Sequence, residues 1–170
     1  MMISNWEKSF AEMIKSEGGF VNDSRDAGGA TNWGVTKAVW EAWVKHPVTV
    51  DDMKQLTQDQ VKPLYKKNYW DAVHGDDLPI GVDFLVFSFG VNAGTGRSIK
   101  ILQTSLGTVA DGAIGPNTLK KIQEADAKDL IEKFSAAKIL FYKSLSTFAT
   151  FGRGWVNRVE REKQEALTML

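Results

Sequence analysis

No cysteine occurs among the 170 residues, so a disulfide framework and thiolate chemistry, metal-binding or nucleophilic, are excluded. Histidine is scarce: His46 and His74 are the only two, too few and too far apart for a zinc site, and each precedes a loop-forming residue, Pro47 or Gly75. An excess of one charge is missing as well. Lys and Arg number 21 and Asp and Glu number 21, so bulk electrostatics draws the chain neither to nucleic acid nor to an anionic membrane. No stretch approaches the roughly 18 apolar residues of a membrane helix. No nucleotide loop, dinucleotide-binding glycine pattern or internal repeat is present. The opening Met1-Met2-Ile3-Ser4-Asn5-Trp6-Glu7 lacks the basic start and unbroken apolar core of a signal peptide. The expectation is a protein made in the cytoplasm, monomeric, with no nucleic-acid partner and no membrane insertion.

Aromatic residues, by contrast, are plentiful, with six Trp and nine Phe, and a chain of this length and composition builds one ordinary core. Ile3, Trp6, Phe10, Met13 and Ile14 recur at three- and four-residue steps, the mark of one buried helical face. Ser4 and Glu7 read as a capping box that starts this helix, and Gly18-Gly19 as the left-handed stop that ends it. Thr36 caps a helix to about Val44 with Val39, Trp40 and Trp43 inward. Thr49 with Asp52, and Thr57 with Gln60, read as two more capping boxes. The second opens a helix toward Trp70 with Val61, Leu64 and Tyr65 inward, which Pro63 should kink or delay. Ile80 to Asn92 is apolar nearly all round and too long for a strand, which predicts a central buried helix. Further helices are expected at Arg97–Leu106, from Pro116 to Ala125, and from Lys128 to Ser146 behind the cap Asp126. A last one is expected at Trp155–Leu170, after a break at Phe151-Gly152-Arg153-Gly154. Between the first two helices, Phe20-Val21 and Trp33-Gly34-Val35 flank turn formers and predict a short hairpin doubling back over the helix end. The fold class is mainly α.

Glu17 is expected as the last side chain of the first helix, where the macrodipole disfavours negative charge. That position, with burial against Phe20 or Trp33, should raise its pKa above roughly 4.3, as a general acid near neutral pH requires. The hairpin would bring Asp26 or Asp23, with Thr31, across from it. One buried carboxyl on a helix end and one wetter carboxyl on a hairpin are the apparatus of glycoside hydrolysis. The same spacing also suits a Glu17 that caps or ion-pairs at the helix end beside aspartates that merely make turns. Tyr69 and Trp70 read either as core or as rings lining a sugar subsite, and Asn92 either as a cap or as a cleft residue.

The segment Glu17-Gly-Gly-Phe-Val-Asn-Asp23, then Asp26, Gly28-Gly29-Ala-Thr31 and Gly34-Val-Thr36, strongly resembles the N-terminal signature of glycoside hydrolase family 108. Tyr69-Trp70-Asp71, Val91-Asn92-Ala-Gly94, Leu102-Gln103, Asp111-Gly112-Ala-Ile-Gly115-Pro116-Asn-Thr118-Leu119 and Gly154-Trp155-Val-Asn157-Arg158 resemble its later blocks, in order, over essentially the whole chain. The family comprises N-acetylmuramidase-type lysozymes of phages and bacterial genomes, and its catalytic acid corresponds to Glu17. The spacing glutamate, eight residues, aspartate, four residues, threonine also resembles phage lysozymes generally, where the second gap is usually one residue longer. Asp111-Gly-x-x-Gly115-x-x-Thr118 resembles the motif of small peptidoglycan-binding modules, although turn chemistry alone would select the same residues.

The resemblance implies a lysozyme-like, two-lobed helical fold with residues 1–95 as the catalytic part and residues 96–170 as a peptidoglycan-binding-like part of one globular unit. It implies hydrolysis of the β-1,4 bond between N-acetylmuramic acid and N-acetylglucosamine in peptidoglycan. Glu17 would be the acid, Asp26 the group that steadies the sugar cation or orients water, and Thr31 its helper. Asn32, Trp33, Tyr69, Trp70 and Asn92 are the expected substrate-binding residues. No metal or organic cofactor is needed for such chemistry. A phage or prophage endolysin that reaches the wall after release by a membrane-permeabilising partner is implied; a lytic transglycosylase using Glu17 alone and a non-catalytic wall-binding or secretion-related protein are the rivals. Residues 1–96 hold 9 Lys and Arg against 13 Asp and Glu, and residues 97–170 hold 12 against 8, so the later part suits a solvated helix surface or an anionic wall polymer.

Overall fold

The computed structural model describes residues 4–23, 25 and 29–170. Among them run α1 (Trp6–Ile14), a hairpin of β1 (Thr31–Asn32) and β2 (Val35–Thr36), α2 (Lys37–Val44), α3 (Val50–Lys54), α4 (Gln58–Tyr65), α5 (Val82–Ala93), α6 (Thr95–Leu106), α7 (Pro116–Glu124), α8 (Ala127–Lys143) and α9 (Phe148–Thr168). No described helix is long and apolar enough to cross a membrane. The chain divides into two compact units, one of residues 10–68 and one of the residues up to Ser9 together with 69–170.

In the smaller unit local chemistry sets the boundaries. Thr36 accepts a hydrogen bond from the Val39 amide, and the boxes Thr49/Asp52 and Thr57/Gln60 are both reciprocally closed. Each such cap is worth about 1 kcal/mol. Met13, Ile14, Val35, Trp40, Met53, Val61, Leu64 and Tyr65 form the core. Val39, expected inward, is exposed, because Trp40 takes the buried position next to it. Pro63 stands inside α4 without ending it; the helix passes instead into a π-helical turn at Lys66–Trp70. A proline leaves one carbonyl without its amide partner, and a π turn shifts the register of the residues beyond it.

In the larger unit α5 is the buried spine, with Val82 to Gly90 out of solvent, and it packs against α6, α8 and α9. Trp6, Trp70 and Phe87 meet at centroid distances of 5.4–5.6 Å, tilted or edge-on contacts worth about 1 kcal/mol each beyond area burial. Ser4 accepts from the Trp6 amide and donates to Asp76, which also takes the indole N–H of Trp70 at 3.0 Å. The Glu162 carboxylate is buried and accepts from Ser88 at 3.0 Å, Lys138 at 3.2 Å and Arg158 at 3.0 Å, so α5, α8 and α9 share one charged joint. Burial pushes the Glu162 carboxyl up, but Lys138 and Arg158 outweigh it and hold it below the usual range.

The expected break at Phe151–Gly154 is absent, and α9 runs through it. Gly152 is there for packing: a Cβ would strike the ring of Phe148, which folds back along its own helix. The helix cost of glycine, about 1 kcal/mol, is outweighed by the packing of α9 along α8. Gln103 of α6 organises the next loop. Its Nε2 lies 2.9–3.1 Å from the Asp111 carboxylate, the Ala113 carbonyl and the Thr118 hydroxyl, and its Oε1 accepts from the Gly112 amide at 2.9 Å. The motif Asp111 to Thr118 thus closes on one buried amide.

Candidate active site

Glu17 is held by the turn that closes α1. The amides of Ser16 and Glu17 donate to the Met13 and Ile14 carbonyls at 3.0 and 3.1 Å, and both of those residues are core. The helix itself stops at Ile14, so Glu17 sits beyond it on a tight turn rather than being its last member. Gly18 and Gly19 do not take the left-handed conformation expected of a helix stop, because the closure is already complete at Ser16 and Glu17. The Glu17 side chain is half-buried.

The hairpin comes to meet it. Thr31 pairs with Thr36 and Asn32 with Val35, leaving Trp33-Gly34 as a two-residue turn with φ of 52° and 75°. Two positive φ values define the type I′ turn that matches strand twist. Gly34 is obligatory for a second reason: a Cβ there would stand 2.5 Å from Glu17 Oε2 and 2.5 Å from the Tyr65 hydroxyl oxygen. The acid candidate and a phenol therefore converge on one bare Cα. Trp33, as a non-glycine residue in the left-handed region, costs about 1–2 kcal/mol. It is held there by its indole N–H donating to the Leu56 carbonyl at 2.9 Å and by the Tyr65 hydroxyl donating to its carbonyl at 2.8 Å. A strained residue fixed by its neighbours beside a carboxyl is characteristic of functional sites.

The segment between α1 and the hairpin is pinned at both ends. The Val21 amide donates to the Thr31 carbonyl at 2.8 Å and the Thr31 amide returns the bond at 2.7 Å. Asp26 belongs to this segment and lies outside the described residues, as does Ile3. Asp23, its alternative, is bound to Arg25 through two side-chain contacts of 2.8 and 3.0 Å and through the Arg25 amide. These bonds hold its carboxyl below the usual carboxylate range. Asp23 therefore makes a turn.

Residues 10–94 match the model of glycosyl hydrolase 108, and residues 97–160 match that of a predicted peptidoglycan domain. The chain belongs to the glycosyl hydrolase 108 family. It is also similar to the solved structure of Brucella abortus SagA, at 38% identity over 97% of this chain and 95% of that one, with a TM-score of 0.84. No curated protein matches. The protein is a glycoside hydrolase acting on peptidoglycan, and its mainly α architecture with a short hairpin after α1 is lysozyme-like.

Within this hydrolase the expected substrate-binding residues fare unequally. Asn32 is buried, and its amide nitrogen donates to the Met53 and Lys54 carbonyls at 2.9 and 3.3 Å, so it anchors the end of α3 rather than facing a ligand. Trp70 is wholly buried against Trp6 and Phe87. The π turn after Pro63 carries it into the core, which removes it from any sugar subsite. Trp33 and Thr31 are half-buried in the hairpin with Glu17 in the same unit; Tyr69, half-buried, and Asn92, exposed in the last turn of α5, belong to the other. Tyr65 reads from the sequence as core alone. Its ring is core, packed 6.0 Å from Phe10, but its hydroxyl is the group that organises the Trp33-Gly34 turn.

Proposed function

We propose that this glycosyl hydrolase 108 chain is an N-acetylmuramidase that cleaves the β-1,4 bond between N-acetylmuramic acid and N-acetylglucosamine, with Glu17 as the general acid. The observation that carries the reading is the convergence of the Glu17 carboxyl and the Tyr65 hydroxyl on Gly34. A half-buried carboxyl fixed on a rigid turn is suited to hand a proton to the leaving glycosidic oxygen. Asp26 steadies the sugar cation or orients water, and Thr31 assists. A carboxyl separation of about 5–5.5 Å corresponds to a retaining path and about 6.5–9.5 Å to an inverting one. Trp33, Tyr69 and Asn92 are the remaining candidates for contact with the strand.

In this reading residues 1–95 carry the catalysis and residues 96–170 the affinity for the wall. The protein acts as a monomeric phage or prophage endolysin, made in the cytoplasm and reaching peptidoglycan after a membrane-permeabilising partner lets it out. Digestion of purified sacculi with mass analysis of the products tests the bond specificity: fragments with N-acetylmuramic acid at the reducing end are expected. A second reading has one observation in its favour. Asp23 is engaged by Arg25, and a lytic transglycosylase needs Glu17 alone. Anhydro-muropeptides in the same digest would select it.

A further inference from the structure

Between Glu132 and Glu160 the chain has no acidic residue but five Lys and Arg, and α6, packed beside α8, adds Arg97 and Lys100 with no acid of its own. The same stretch of α8 and α9 carries a run of rings. Tyr142 and Trp155 stack with centroids 5.1 Å apart and planes inclined by 28°, Phe151 continues the row 5.8 Å from Trp155, and Phe141 lies 5.6 Å from Tyr142. This row reaches solvent: Phe151 is 54% exposed, and Tyr142 and Trp155 are only half-buried. At one end the Arg97 guanidinium sits 4.7 Å over the Phe141 ring.

Solvent-facing rings stacked side by side give flat apolar faces, and an exposed guanidinium beside them recognises a carboxylate in fork geometry. We propose that this face of α8 and α9 is a binding platform for the peptidoglycan strand. Sugar rings or the lactyl group lie on Tyr142, Trp155 and Phe151, and a carboxylate of the stem peptide pairs with Arg97. The proposal rests on peptidoglycan as the substrate and names where, in the part that matches a predicted peptidoglycan domain, the strand is received. Rings and cations together also suit an anionic lipid surface, which the test separates.

The experiment is co-sedimentation of the full chain with purified sacculi, in Glu17→Gln protein so that the wall stays intact. Phe151→Ser and Arg97→Glu alter exposed side chains and leave the core alone, and Trp155→Ala is the stronger third variant. The Phe151→Ser/Arg97→Glu pair is expected to weaken retention at least tenfold and to reduce its salt sensitivity, whereas Lys120→Glu on the exposed face of α7 leaves retention unchanged. Unaltered retention in the double variant overturns the proposal. So does capture by phosphatidylglycerol vesicles that is lost in the same variants while sacculus binding persists. Reducing ends released by the Glu17→Gln protein would count against the acid assignment alone, because sedimentation needs no turnover.

Discussion

The Glu17 carboxyl lies over the Cα of Gly34 so closely that a methyl group there would stand 2.5 Å from its Oε2. Gly34→Ala therefore carries two penalties: a side chain at φ of 75°, worth about 1–2 kcal/mol, and displacement of the acid candidate. A misplacement of about 1 Å costs on the order of 100-fold in rate, and a loss of that size is expected in sacculus clearing. Gly18→Ala, where a Cβ meets nothing within 4 Å, should retain activity within a few-fold. Equal losses in both would mean that the carboxyl position is not set by the turn.

Tyr65→Phe keeps the ring and removes the hydroxyl that donates to the Trp33 carbonyl at 2.8 Å. The expected destabilisation is about 1 kcal/mol, read as a lower denaturant midpoint. A fall in clearing activity beyond what the unfolded fraction explains is expected as well, since the same oxygen borders Glu17. Unchanged activity would reduce Tyr65 to a core residue.

The helix caps are legible in the sequence because their causes are local. Thr36, Thr49 and Thr57 act on residues three positions away. The existence of a hairpin after α1 is legible too, but not its register: Trp33-Gly34, expected in a strand, is the turn itself, and Val21 makes only an isolated bridge to Thr31. Glu17 stands out through its motif. What decides its surroundings is not local: Tyr65 arrives from α4, and nothing in its helical spacing announces a role for its hydroxyl. Trp70 suits core and cleft equally in the sequence, and only the π turn behind Pro63 sets its direction. Gly152 resembles a helix breaker because the ring that needs it, Phe148, acts within a helix stabilised from outside by α8.

Asp83, in the first turn of α5, accepts from the Asn5 side chain and from the Gly81 and Phe84 amides. Burial nevertheless pushes its carboxyl up to about 6, with Asp76 adding to the shift. A folded value above the unfolded 3.8 means that the folded chain holds more protons between about pH 4 and 6. Stability from this group is therefore greatest below that window and is lost as pH rises through it, by about 3 kcal/mol in all. The stability difference between wild type and Asp83→Asn should shift against wild type by that order between pH 4 and 7, measured by urea unfolding. A difference independent of pH would contradict it.

Lys138→Met would leave the buried Glu162 carboxylate with Arg158 and Ser88 but without the more buried of its two cationic partners. Loss of one member of a buried ion pair costs about 3–5 kcal/mol, so a large drop in melting temperature is expected. Replacing Lys138 and Glu162 together with apolar residues should recover part of it. A single variant as stable as wild type would show that α5, α8 and α9 do not depend on this joint.

The proposed mechanism makes catalysis depend on the proton of Glu17. Release of reducing ends from purified sacculi by Glu17→Gln protein, with folding checked by circular dichroism, tests that dependence most directly. A loss of about 100- to 10,000-fold in a folded protein is predicted, the range for removing a general acid. Release at the wild-type rate by that folded variant would contradict the assignment.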